Sequence, residues 1–209
     1  MGLEIPRPYI VRSKQMATPT LTADTFKNLK FSDIRVNKNR SRAVYLSTPE
    51  MSKIFVKLPE LKAPYGLSTY VDEKAGTVSY SLDLSLTPEM EQVFSELDDK
   101  VLTEVADKSE QWLGRKYSRD ILAEALYKSL VRKSKKPEYP STVRLKIYCN
   151  LDGTLVPKAF DSQKNPIRLE QLRKGQDVKA VVNVASIWFI DNKFGVSLRL
   201  HQAQFAVQD

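Results

Sequence analysis

The sequence predicts a mainly β protein with a helical insert. Residues that alternate apolar and polar, the period of a half-buried strand, fill both flanks of the chain. Residues 88–131 switch to three- and four-residue spacing, the period of an amphipathic helix. The charge switches with the period. Of 209 residues, 1–87 hold 13 basic and 8 acidic side chains, 88–131 hold 6 and 10, and 132–209 hold 14 and 7. The net charge is +8 and the pI is near 9.4, so the excess of cations lies on the strand-forming flanks.

Residues 1–26 carry Pro6, Pro8 and Pro19 with few apolar positions and read as an extended arm. Residues 27–209 read as one domain. Its strand runs are 28–36, 43–46, 53–58, 77–86, 142–150, 154–159, 177–190 and 193–207, rich in Val, Ile, Leu and aromatics. Asp152-Gly153 and Asp191-Asn192 mark tight turns. In the insert, Thr87 is placed to cap a helix, Pro88 suits its first turn, and Glu89 and Glu91 suit its positive end. Met90, Val93, Phe94, Leu97, Val101 and Val105 line one face, and Gly114 stops the run. Ser118 opens a second helix with Ile121, Leu122, Ala125, Leu126 and Leu130 on its apolar side. Residues 132–140 form a basic linker. Its Arg132, Lys133, Lys135 and Lys136 read either as a solvated run or as a nuclear-targeting cluster.

Composition removes several kinds of chemistry. The one histidine, His201, and the one cysteine, Cys149, stand 52 positions apart, so a Cys/His zinc site has no basis and an internal disulfide is excluded. The seven glycines form neither GxGxxG nor GxxxxGK[ST]. No cofactor is expected. No run approaches the roughly 18 apolar residues of a membrane helix. Residues 1–10 lack the apolar stretch of a signal peptide, so an intracellular, non-secreted protein is expected. Carboxylates such as Asp24, Asp33, Asp72, Glu73, Asp152, Asp161, Asp177 and Asp191 fall mostly in turns, where they serve turn geometry, and no catalytic residue is assigned. A carboxylate nuclease is the weakest of the readings.

Strand parity gives the sharpest signal. Successive side chains in a strand point to opposite faces. In 53–58, Ile54, Val56 and Leu58 make a core face, and Lys53, Phe55 and Lys57 stand opposite. In 142–150, Val143, Leu145, Ile147 and Cys149 make the core face, opposite Arg144, Lys146 and Tyr148. An aromatic ring among cations thus occurs twice, in strands far apart in the chain. Single-stranded nucleic acid offers phosphates for cations and unstacked bases for rings, each base contributing about 1–3 kcal/mol without demanding a sequence. Lys38, Arg40 and Arg42 are placed in a turn where they clamp phosphates or are simply solvated. Tyr65 and Tyr70 flank Gly66, and Tyr45 lies in the run 43–46. Arg199 and Lys193 are further phosphate contacts, because burying either unpaired is costly. In 177–190, Trp188 is placed with Val182 and Val184, and Phe189 with Val181 and Ile187. Trp188 and Phe194 are either core or ligand contacts. Cys149 is expected to be buried and inert, and His201, on the face of Arg199 and Ser197, to be a structural or surface residue.

The segment from Ala185 to Phe205, with Ile187-Trp188-Phe189 and Lys193-Phe194-Gly195, resembles the closing hairpin of single-stranded-DNA-binding proteins from nucleocytoplasmic large DNA viruses. Ala63-Pro64-Tyr65-Gly66 and the strand after it resemble their glycine loop, and Lys174-Gly175 resembles the turn into their long penultimate strand. The resemblance covers roughly residues 26–87 and 140–207. It implies an oligonucleotide-binding (OB) fold, an antiparallel β-barrel here bearing a two-helix insertion, related in plan to phage replication single-strand-binding proteins. It implies sequence-tolerant binding of single-stranded DNA in replication, recombination or repair, in the host cytoplasm or nucleus. The phage proteins end in an acidic tail that recruits partners. This sequence runs only to Asp209, so replication proteins are expected, if anywhere, on the acidic helices. A homo-oligomer is left open, and no membrane partner is expected. The rival reading is a non-enzymatic structural or scaffolding protein of a virus particle or replication complex.

Overall fold

The computed structural model describes residues 17–207. The part of the arm in 1–16 lies outside the described residues. The β structure is one continuous sheet, and seven of its strands carry the functional geometry: β1 (Arg42–Ser47), β2 (Ile54–Lys57), β3 (Leu67–Asp72), β4 (Thr77–Ser85), β5 (Thr142–Ile147), β6 (Asp177–Ile190) and β7 (Lys193–Gln204).

All of these strands except β3 bury an apolar set of side chains. β6 is central. It pairs antiparallel with β7 on one side and with β1 and β2 on the other, so both its edges are hydrogen-bonded. β7 runs parallel to β5 at Arg199 and Lys146, β5 is antiparallel to β4, and β4 to β3. The chain between β2 and β3 closes the ring. Leu61–Lys62 still pairs with the start of β6, and the chain then turns at Gly66 to bring β3 against β4. Gly66 has φ +63, and a Cβ there would meet the Lys174 nitrogen at 2.9 Å, so only glycine fits this crossing. One long strand, β6, that serves neighbours on both edges, with antiparallel pairs elsewhere among these seven strands and a parallel contact between β5 and β7, fits an OB-type barrel. The barrel is filled by Val44, Ile54, Val56, Leu82, Leu84, Val143, Leu145, Val182, Val184, Leu198 and Leu200.

The insert joins this core from one side. Helix α1 (Pro88–Asp107) starts at Thr87, whose hydroxyl accepts from the Met90 amide, and buries Met90, Val93, Phe94, Leu97, Val101 and Val105, the face its spacing predicts. The run to Gly114 is not one helix. It breaks at Lys108, and a short α2 (Ser109–Leu113) ends at Gly114 with φ 78. α2 buries Trp112, which meets Phe189 edge-on at 6.1 Å. Phe189 stacks on Phe194 at 5.8 Å, and Phe194 lies 5.0 Å from Tyr127. Phe194 is therefore core.

The structure corrects several expectations. Residues 17–26 are not a free extended arm: Leu21 and Phe26 are buried, the Leu21 amide bonds the Lys57 carbonyl, and Ala23–Phe26 is a 3-10 turn. Two apolar residues at this spacing suffice to fasten the segment. The second helix is shorter than its pattern. It runs over Arg119–Ile121 and widens to a π-turn over Leu122–Leu126, leaving Ile121 and Ala125 exposed. Leu130 is buried beyond its end. Cys149 is exposed, because β5 ends at Ile147 and alternation stops with it. The linker residues 132–140 are all exposed.

Two β-bulges reset the parity of the central hairpin. The ladder between β6 and β7 shifts between Val184 and Ser186 and again between Val181 and Val182. Ala185 is the additional residue at the first shift and His201 at the second. Ile187 and Phe189 thus share the buried face with Val182 and Val184. Ser186 and Trp188 lie on the other face, contrary to the simple alternation that groups Trp188 with Val182. The Trp188 ring covers Gly195, where a Cβ would come within 2.7 Å of it.

Candidate nucleic-acid interface

One row of residues crosses the barrel's outer face. Phe55 on β2 pairs with Asn183 on β6, Asn183 with Arg199 on β7, Arg199 with Lys146 on β5, and Lys146 with Ser81 on β4. Ser81 pairs with Ser68 on β3, so the row spans six strands, about 24 Å at ordinary strand spacing. The two basic–aromatic strands of the sequence therefore share one face, with Asn183 and Arg199 between them.

The rings on this face are held by their neighbours. The Arg199 guanidinium carbon lies 4.8 Å from the centroid of Tyr148. Phe55 packs against His201 at 4.8 Å between ring centroids. The bulge at His201 turns that imidazole outward. Tyr45 is exposed, with the Arg35 guanidinium 5.9 Å from its centroid and its hydroxyl 3.4 Å from the Asn37 amide oxygen. Tyr70 pairs with Ser79, which has the same parity as Ser81, so it belongs to this face and is 68% exposed. Tyr65 is exposed in the loop before β3. A groove of about 380 Å³ runs between Tyr45, Lys53, Asn183 and Arg199, with Arg35 and Met51 at its margin.

The electrostatics separate free cations from committed ones. Lys53 and Lys57 are exposed, and among the described residues neither forms an ion pair. Burial, and then the neighbouring Arg199 charge, hold the Lys146 ammonium below its ordinary range. The Arg199 Nε and the Ser197 hydroxyl are buried without a hydrogen-bond partner among the described residues. Unpaired buried donors are costly, and an anionic or polar ligand would offset that cost. Arg144 is different. Its Nε and Nη2 donate at 2.7 and 2.8 Å to the two oxygens of buried Asp83, which raises its affinity for its proton and commits its charge to that pair.

Two other sequence candidates, Arg42 and Lys193, are also committed elsewhere. Arg42 is the first residue of β1 rather than a turn cation. Its Nη1 donates to the Trp112 carbonyl at 2.8 Å, and its guanidinium lies 5.9 Å from the Phe189 ring, on the insert side. Lys193 sits at the hairpin end and donates to the Ala125 carbonyl at 2.6 Å. Arg40 is exposed at a turn with φ 64. Sequence reading missed Arg35, Asn183 and the contact between His201 and Phe55. A lone Asn within the apolar run 177–190 was the available signal for one of them. Among the described residues, no three His, Cys, Asp or Glu side chains gather as a metal site. No helix among them is long and apolar enough to cross a membrane.

Residues 72–209 match the model of a protein family described as "Family of unknown function (DUF5871)". The chain belongs to that family. No curated protein matches it. Among solved structures, this family member is similar to the single-stranded DNA-binding protein from bacteriophage Enc34 in complex with ssDNA. That match has 14% identity, covers 86% of this chain and 97% of the other, and has a TM-score of 0.47. A C-terminal truncation of the same phage protein matches at 14% identity, 86% and 96% coverage and a TM-score of 0.46.

Proposed function

We propose that this protein binds single-stranded DNA with little sequence preference, through the outer face of its barrel. The row of Phe55, Asn183, Arg199 and Lys146 carries the reading, because it joins a ring and two cations that form no ion pair among the described residues in one line across the sheet. Lys53, Lys57, Lys146 and Arg199 contact phosphates. Phe55 and Tyr148 stack bases, with Tyr45 and Tyr70 extending the platform. Rings accept any base, because every base has a π-face, and cations follow the backbone whatever the sequence. A face that lies open across six strands suits a flexible strand better than a stiff duplex. The resemblance of residues 63–70 and 185–205 to viral single-stranded-DNA-binding proteins supports a role in replication, recombination or repair of a large DNA virus.

The test is a titration with labelled oligo-dT, a duplex of equal length and the corresponding RNA, at two salt concentrations. Single-stranded DNA is expected to bind more tightly than duplex, with small differences between base compositions. Phe55→Ala and Tyr148→Ala should each weaken binding about tenfold, within the range for one stacked base, with the salt dependence unchanged. Equal affinity for duplex and single strand, or no binding at low salt, would overturn the reading.

A further inference from the structure

The face continues into a second groove. One step along the strands from Phe55, Asn183 and Arg199, the ladder pairs Lys57 with Val181 and Val181 with Gln202. These three residues line a groove of about 430 Å³, with Lys179 further along β6 and Phe160 and Lys164 from the turn beside it. Three lysines line it and no carboxylate does.

The placement of Lys164 is built into the fold. The Asp161 carboxylate accepts from the amides of Gln163 and Asn165 at 2.8 Å and from the Asn165 side chain at 2.9 Å. Those bonds hold the Asp161 carboxyl below its ordinary range and close a turn in which Lys164 has φ 68. Gln204 on β7 donates to the Asp161 carbonyl at 2.9 Å and fastens the turn to the barrel. The acceptors of this carboxylate are thus used by its own turn, and it does not line the groove, while Lys164 does. Lys179 has an exposed contact with Glu60 at 3.9 Å, a separation at which a surface pair contributes little. Phe160, on the short strand Lys158–Phe160, is partly exposed beside these cations.

We infer that this groove is an extension of the single-strand track, in which Lys164 and Lys179 hold phosphates beyond those held on the face and Phe160 supplies apolar contact. The inference rests on the proposed function. Its sign of charge, its Phe160 contact and its continuity through Lys57 all point to the same polyanion leaving the face over this edge of the barrel.

Oligo-dT of two lengths tests it, about 6 and about 16 nucleotides, within the range of sites on one OB fold. The variant is Lys164→Asn with Lys179→Gln, since Asn tolerates the left-handed backbone at 164. The short oligonucleotide should bind the variant and the unaltered protein alike. The long one should bind the variant more weakly, with the magnitude of its log–log salt slope smaller by about 1.4, the value for two phosphates on a single strand. Equal binding of the long oligonucleotide by both proteins would overturn the groove alone. So would an equal loss at both lengths, which would mean a diffuse field rather than a longer track. Absence of binding by the unaltered protein at either length would overturn the face reading and the groove with it.

Discussion

Lys146 stands between Ser81 and Arg199 in the row, and folding changes its chemistry. Burial first, and then the Arg199 charge, disfavour its ammonium form, so its pKa lies below 10.5. The negative charge of a phosphate placed against it opposes both effects, so binding holds the proton more tightly. As pH rises toward 10.5, the affinity of the unaltered protein for oligo-dT should begin to fall before an ordinary lysine would titrate. Lys146→Arg keeps the charge and should remain flatter over the same range. Identical pH profiles for the two proteins would remove Lys146 from the phosphate contacts. Arg144, two positions away on the same strand face, shows why residue type alone does not define the site. Both read as cations opposite a core face. Only the fold places the Asp83 carboxylate under Arg144 and leaves Lys146 without one.

At the scale of elements, a buried carboxylate ties α1 to the last segment of the insert, where Tyr127 and Lys128 pair with Phe194 and Gly195 of β7. Asp98 on α1 accepts from the Tyr127 hydroxyl, from the Ser129 hydroxyl at 2.7 Å and from the Leu130 amide at 3.0 Å. Burial raises its pKa above 3.8 despite these donors. The folded state therefore holds the Asp98 proton more tightly than the unfolded chain does. Its contribution to stability declines as pH rises from 3.8 through the raised value and is level above it. Asp98→Asn cannot ionise. Its stability relative to the unaltered protein, from denaturant unfolding, should rise with pH across that interval and be constant beyond. A difference that does not vary with pH would contradict this account. The bulges are the other element-scale device. One residue added at Ala185 and one at His201 set the face that each side chain of the hairpin joins, and this turns Trp188 outward and sets His201 against Phe55.

For the whole molecule, the charge split has a structural meaning. The cations nearest the insert, Arg42 and Lys193, are bound to its carbonyls, and Lys53, Lys57, Lys146 and Arg199 are left for the outer face. For an oligonucleotide short enough to stay on the face, four phosphate contacts correspond to a slope of about −3 in log affinity against log salt. The same titration over several salt concentrations measures it. A slope near zero would show that the face does not bind through phosphates. The strand-rich flanks, the helical insert, the Thr87 cap and the apolar sides of β2 and β5 were legible from the chain alone, because burial and backbone period act locally. So were the facing sides of those two strands, with Lys53, Phe55 and Lys57 on one and Lys146 and Tyr148 on the other. That the two sides form one surface was not legible, since it depends on β6 and β7 lying between them. Nor was the commitment of Arg144 to Asp83, of Arg42 to Trp112 or of Lys193 to Ala125, since each partner is distant in sequence and is brought close only by folding. Periodicity records which side of a strand meets apolar surroundings. It carries no register, so a single added residue in β6, or a carboxylate on a neighbouring strand, decides which cations and rings face a ligand.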